Sequence, residues 1–288
     1  MSDLSNPSRP PRDDEMDVFG ASHPGLVREE NQDHFLMANI FKKLQVMSTN
    51  VSDVGTRLPE QKERLAYLAM VADGVGGGVG GADASAIAID TTMRYVEHGL
   101  TAYYSSHDRD GEFTELLQAA AMQATDAVRA HRDTLGVRGT MATTLTMYFG
   151  VWPWYYLLQV GDSRYYVWRD GKLSQITRDQ TVAQDLLDDG VLSKADAART
   201  PLAHVLSSAI GSDPTLPVVT RLPFDWRNRH LICSDGLTKH VSDARIAEIL
   251  GGMTSAKAAA ETLIQEALDG GGTDNITVIV AKSTPSKP

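Results

Sequence analysis

Residues 65–96 read LAYLAMVADGVGGGVGGADASAIAIDTTMRYV, and the fold turns on them. An apolar run, Leu68-Ala69-Met70-Val71-Ala72, meets a single carboxylate, Asp73. A glycine-rich turn follows, from Gly74 to Gly81, and then Ala82, Ala86, Ile89, Met93 and Val96 recur at helical spacing. The pattern predicts strand, turn and helix, with Asp73 at the mouth of the strand as a candidate metal ligand.

Upstream, residues 1–13 carry three prolines among polar residues and are expected to form a disordered tail. Met16–Ser22, His34–Asn39 and Leu44–Val51 read as strands, with a polar loop from 52 to 64. Downstream, Phe113, Leu116, Leu117, Ala120, Ala124, Ala127 and Val128 mark a second long helix over about 112–135. Strand-like segments then crowd together: Thr140–Phe149, Trp154–Val160, Arg164–Arg169 and, after the Asp170-Gly171 turn, Lys172–Thr177. A short helix near Val182–Leu187, strands at Val218–Leu222 and His230–Ser234, helices at Asp243–Leu250 and Ser255–Leu268, and a last strand at Asn275–Ala281 complete the chain. This order is not a βαβ alternation. It predicts an α+β fold, a largely antiparallel sheet or sandwich covered by helices.

With 288 residues, 42% of them hydrophobic, the chain can bury one sizeable core. Its net charge of −10 argues against nucleic acid as a partner and against anchoring to anionic lipid. Cys233 is the single cysteine, so there is neither a disulfide framework nor a CxxC zinc site. The polar start, without a signal peptide or an apolar run long enough to span a bilayer, predicts a cytoplasmic protein.

The acids decide the chemistry. Asp170, Asp189 and Asp269 precede glycines in polar surroundings and read as turns. Asp73, Asp162, Asp235 and Asp274 instead abut apolar strands, where a lone carboxylate costs roughly several kcal/mol. Four such acids with few Lys or Arg beside them call for a cation. Oxygen ligands without a His or Cys cluster suit Mg²⁺ or Mn²⁺. The plain alternative is a set of helix caps and turns, Asp235-Gly236 foremost. Gly76, Gly78 and Gly81 also fit the GxGxxG dinucleotide pattern. Two long helices in succession deny it the second parallel strand, and Asp73 would set negative charge beside a pyrophosphate.

Six stretches in order resemble the PP2C (PPM) family of metal-dependent protein Ser/Thr phosphatases, in its bacterial form: Arg28–Asp33, Val71–Gly77, Thr140–Thr144, Val160–Arg164, Cys233–Leu237 and Gly272–Thr277. The resemblance covers about residues 16–281. It implies an αββα sandwich as a single domain over 14–282, with a flap at about 179–215 and a polar tail over 283–288. It implies that Asp73 bridges two Mn²⁺ or Mg²⁺ ions in the core site, with the Gly74 carbonyl on one and Asp235 and Asp274 on the other. Asp33 would hold the metal-bound water, Asp162 with Asp235 a third ion, and Arg28 the substrate phosphate, for which a bidentate guanidinium is suited. The implied reaction is direct attack of a metal-bridging hydroxide on phosphoserine or phosphothreonine, without a phosphoenzyme, so Cys233 is no nucleophile. The implied partners are phosphoproteins, a Ser/Thr kinase or its targets, and the chain is expected to be a monomer. The alternative is a non-catalytic phosphoprotein-binding module on the same fold; it would be expected to have lost Asp73, Asp235 or Asp274. The sequence departs from the family at Val75, where some members have a histidine, at Ala142, at Asp179-Gln180 and in a longer 42–64 segment.

Overall fold

The strand that carries Asp73 is apolar from Ala66 to Ala72 because it has two apolar faces to cover. In the computed structural model, which describes residues 9–41, 44–50, 64–75, 80–103, 110–137 and 139–285, Ala66 to Ala72 are all buried. Tyr67, Ala69 and Val71 point to one core and Leu68, Met70 and Ala72 to another, as the two-residue period of a strand requires.

In chain order the elements are β1 (Met16–His23), β2 (Asp33–Ile40), β3 (Leu44–Thr49), β4 (Ala66–Val75), α1 (Gly81–Tyr103), α2 (Asp110–Leu135), β5 (Ala142–Thr143), β6 (Leu145–Val151), β7 (Trp154–Val160), β8 (Arg164–Arg169), β9 (Lys172–Gln175), α3 (Val182–Asp188), α4 (Lys194–Ala197), β10 (Val218–Pro223), β11 (Arg229–Cys233), α5 (Asp235–Thr238), α6 (Asp243–Gly252), α7 (Ala256–Asp269) and β12 (Ile276–Ser283). One sheet runs β1-β12-β11-β8-β9 and the other β10-β7-β6-β4-β2-β3, with β5 attached to β4. Every named strand pair is antiparallel.

Three cores define four layers. Phe35, Tyr155, Tyr165, Ile232 and Ile279 fill the space between the sheets. Ile89, Val96, Phe113 and Leu117 of α1 and α2 cover the outer face of the second sheet. Ile246, Leu250, Ala260 and Leu263 of α6 and α7 cover the first. The αββα sandwich is therefore the fold, and the parallel sheet of a dinucleotide-binding domain is not. The glycines Gly76 and Gly78 of that reading lie outside the described residues, as do 51–63 of the longer loop.

Some boundaries shift. Residues 9–13, expected in the tail, are anchored: Arg9 makes two hydrogen bonds of 2.6 Å to buried Glu15. β12 takes in Ser283, the first residue of the expected C-terminal tail, which pairs with Met16. The strand expected over Thr140–Phe149 breaks at Thr144, because Ala142-Thr143 leaves its ladder to pair with Gly74-Val75. Among the described residues no helix is long and apolar enough to cross a membrane.

Candidate active site

The two innermost acids face each other across a ladder. Asp33 opens β2, Asp73 sits near the end of β4, and the register pairs them directly. Asp162 follows β7, Asp235 follows β11 and Asp274 precedes β12, so all five stand at one end of the sandwich. A cavity of about 720 Å³ opens there, lined by Asp73, Gly74, Asp162, Asp235 and Asp274, with Arg28 and Lys239 among its walls.

The backbone around Asp73 is pinned from the side. Thr144 Oγ1 accepts from the Asp73 N–H at 3.0 Å, and the Asp73 carbonyl accepts from the Thr144 N–H at 2.9 Å and from Thr143 Oγ1 at 2.8 Å. The same Thr144 hydroxyl lies 2.7 Å from Ser163 Oγ, which ties the Asp73 strand end to the Asp162 loop. Gly74 must lack a side chain, since a Cβ there would collide with the carbonyls of Gly81 and Gln32. Gly236 is under the same constraint against the Asn275 carbonyl, which brings the first turn of α5 onto the start of β12. Gln180, one of the departures from the family pattern, accepts from the Gly161 N–H at 2.7 Å and donates to the Leu216 carbonyl at 2.8 Å. That departure joins the 179–215 segment to the Asp162 loop.

Electrostatically the cluster is under-neutralised. Burial pushes the Asp33 carboxyl up to about 6, against the hydrogen bond of 2.7 Å that Ser234 Oγ donates to its Oδ2. Burial, then the charges of Asp235 and Asp179, raises Asp162 to about 7. Burial and four neighbouring carboxylates, Asp33 first among them, lift Asp73 well above the usual carboxylate range. Asp274 goes the other way: burial works to raise it, but hydrogen bonds from Arg28 and Lys239 outweigh that and hold it low. Arg28 grips Asp274 through Nε at 2.8 Å and Nη2 at 2.9 Å.

Cations stand closer to these acids than their sequence neighbours suggest. Lys239, one turn beyond Asp235, places Nζ 2.6 Å from Asp235 Oδ2 and 2.7 Å from Asp274 Oδ2. Ser234, Asn275, Thr143 and Thr144, each within one of the six matching stretches, support the acids through hydrogen bonds. Asn275 accepts from the Gln32 N–H and donates to the carbonyls of Pro24 and Glu30, strapping the Arg28 turn to β12. Cys233 is fully buried, its thiol pushed up to about 12 by burial, consistent with an inert core residue.

As they stand, no three His, Cys, Asp or Glu side chains among the described residues converge closely enough to hold an ion. Lys239 and Arg28 pair with oxygens of Asp235 and Asp274. The donor set nevertheless fits a divalent cation in kind. It is made of hard oxygens, burial together with neighbouring carboxylates raises Asp73 and Asp162, and Asp33 Oδ1, on the residue opposite Asp73 in the ladder, is buried without a hydrogen-bond partner.

Residues 58–269 match the family model for protein phosphatase 2C. The chain belongs to the protein phosphatase 2C family. It is 34% identical over 216 residues to the serine/threonine protein phosphatase PstP of Mycobacterium tuberculosis, a match that covers 75% of this chain but 40% of that protein. It is 31% identical over 216 residues to the serine/threonine phosphatase stp of Listeria welshimeri, covering 75% of this chain and 84% of the relative. The crystal structure of the M. tuberculosis PstP/Ppp phosphatase superposes with a TM-score of 0.74 at 29% identity, over 94% of this chain and 99% of that one. The PstP catalytic domain solved in complex with two manganese ions gives a TM-score of 0.71 at 29% identity, with the same coverage.

Proposed function

We propose that the chain hydrolyses phosphoserine and phosphothreonine side chains of proteins with the help of Mn²⁺ or Mg²⁺, acting as a monomer in the cytoplasm on targets of a Ser/Thr kinase. The observation that carries this reading is the single cavity in which Asp73, Asp162, Asp235 and Asp274 meet beside Arg28. Asp73, the Gly74 carbonyl, Asp235 and Asp274 would hold two ions, and Asp162 with Asp235 a third. Bound there, divalent ions would lower the pKa of a water toward neutrality and offset charge on the phosphoryl oxygens.

The chain's own groups then have distinct tasks. Arg28 stands at the cavity wall with a planar fork suited to two phosphate oxygens, and so orients the phosphoryl group for in-line attack. Asp33, buried opposite Asp73 in the ladder and held by Ser234, would hold the metal-bound water by hydrogen bonding. Positioning and charge complementarity supply most of the rate in such a reaction.

The test is hydrolysis of a phosphothreonine peptide and of p-nitrophenyl phosphate with Mn²⁺, with Mg²⁺ and with EDTA. Turnover with metal and none with chelator is expected. Asp73→Asn should abolish turnover with the circular-dichroism spectrum intact. Turnover that survives exhaustive chelation, or near-normal kcat in Asp73→Asn, refutes the assignment.

A further inference from the structure

Lys239 touches the site without belonging to the expected ligand set. Its ammonium bridges one oxygen of Asp235 and one of Asp274, at 2.6 and 2.7 Å. These are the two acids assigned above to one ion; Asp235 opens α5 and Asp274 stands just before β12. A cation that took both oxygens would have to occupy the place the ammonium now holds. We infer that Lys239 is a built-in counter-cation that competes with the divalent ion for Asp235 and Asp274, and so sets the metal affinity of the site.

Three features support the exchange. The ammonium carries one charge to the ion's two, and it cannot accept the carboxylate pair as close ligands. Its stem is long and flexible, so the head can move without moving α5. It also has somewhere to go: Lys239 lines a second cavity of about 670 Å³ that adjoins the first, with Asp243 on its wall and Asp179 there paired to Arg164. With the metal absent, Lys239 and Arg28 keep Asp235 and Asp274 from repelling each other. With the metal present, Lys239 swings toward the second cavity. This inference rests on the metal reading proposed above.

Calorimetric titration of Mn²⁺ into the chelator-stripped protein, without substrate, tests it. Lys239→Gln is expected to bind Mn²⁺ more tightly by on the order of tenfold, a typical size for coupling between two competing occupants. Its metal-free Tm should fall below the parent's while the Mn²⁺-saturated values agree. Lys239→Met, which keeps the stem and removes the charge, should behave alike. Lys194→Gln removes a lysine of the second cavity that makes no ion pair with either acid among the described residues, and it should leave affinity unchanged. Equal or weaker Mn²⁺ binding in both Lys239 variants, or the same gain in Lys194→Gln, overturns the inference while leaving the metal reading intact. A parent protein that takes up no Mn²⁺ overturns both.

Discussion

Replacing Asn275 by alanine should loosen the turn that presents Arg28, and the size of the effect can be worked from three bonds. Asn275 Oδ1 accepts from the Gln32 N–H at 2.9 Å, and Nδ2 donates to the Pro24 and Glu30 carbonyls at 2.9 Å each. The side chain itself is 6% exposed. Each such bond contributes about 0.5–1.5 kcal/mol net, and a buried partner left unsatisfied costs more. Pro24 and Glu30 are exposed residues whose carbonyls can recover water, so the lower half of the range applies to them. The expected loss is about 2–3 kcal/mol, seen as a Tm lower by roughly 4–8 °C in a domain this large. Urea unfolding and a thermal scan of the chelated protein measure it. Because the strap holds the Arg28 turn, KM for a phosphopeptide should rise more than kcat falls. Asn275→Asp keeps the acceptor but loses both donations and adds charge beside Asp274, so it should be no better than alanine. A loss below about 0.5 kcal/mol, the level of an ordinary surface substitution, would show that these bonds do not hold the turn.

Other perturbations separate the parts of the site. Ser234→Ala removes the donor to Asp33 Oδ2 and the acceptor of the Thr277 N–H, and should weaken Mn²⁺ affinity or turnover by about 10–100-fold; unchanged values would mean Asp33 needs no support. Arg28→Ala should lower kcat/KM for phosphopeptides by about 10–100-fold, chiefly through KM, as the loss of about 1.5–3 kcal/mol of charge-assisted bonding implies; an unchanged KM removes its phosphate role. For the metal-free protein, Asp33 and Asp162 are raised to about 6 and about 7, so their folded forms keep protons that the unfolded chain has already released. Stability should therefore fall as pH rises from about 4 to 7, by up to about 3 kcal/mol for Asp33 alone, while Asp274, held low, acts in the opposite sense and only in more acidic solution. Urea midpoints across that range should show a shallower fall for Asp33→Asn than for the parent; identical slopes would mean that Asp33 is not the group titrating.

The layers and the acids were legible in the sequence because both are written in short stretches. An uninterrupted apolar strand such as Leu68–Ala72 implies a sheet covered on both faces, and helical spacing over 82–96 and about 112–135 names one cover. A carboxylate at the edge of such a strand is costly enough to mark itself. Only the tertiary structure decided how those acids are held. The antiparallel register sets Asp33 opposite Asp73, and Thr144 reaches Asp73 from the break between β5 and β6. Lys239 is visible in the sequence as the residue one turn after Asp235, but its contact with Asp274 depends on α5 being packed against the start of β12. Periodicity reports which face of an element seeks the core, since that is a property of neighbours along the chain. Which charges end up within hydrogen-bonding reach of one another is set by strand register and packing between segments far apart in sequence, and no local pattern carries that information.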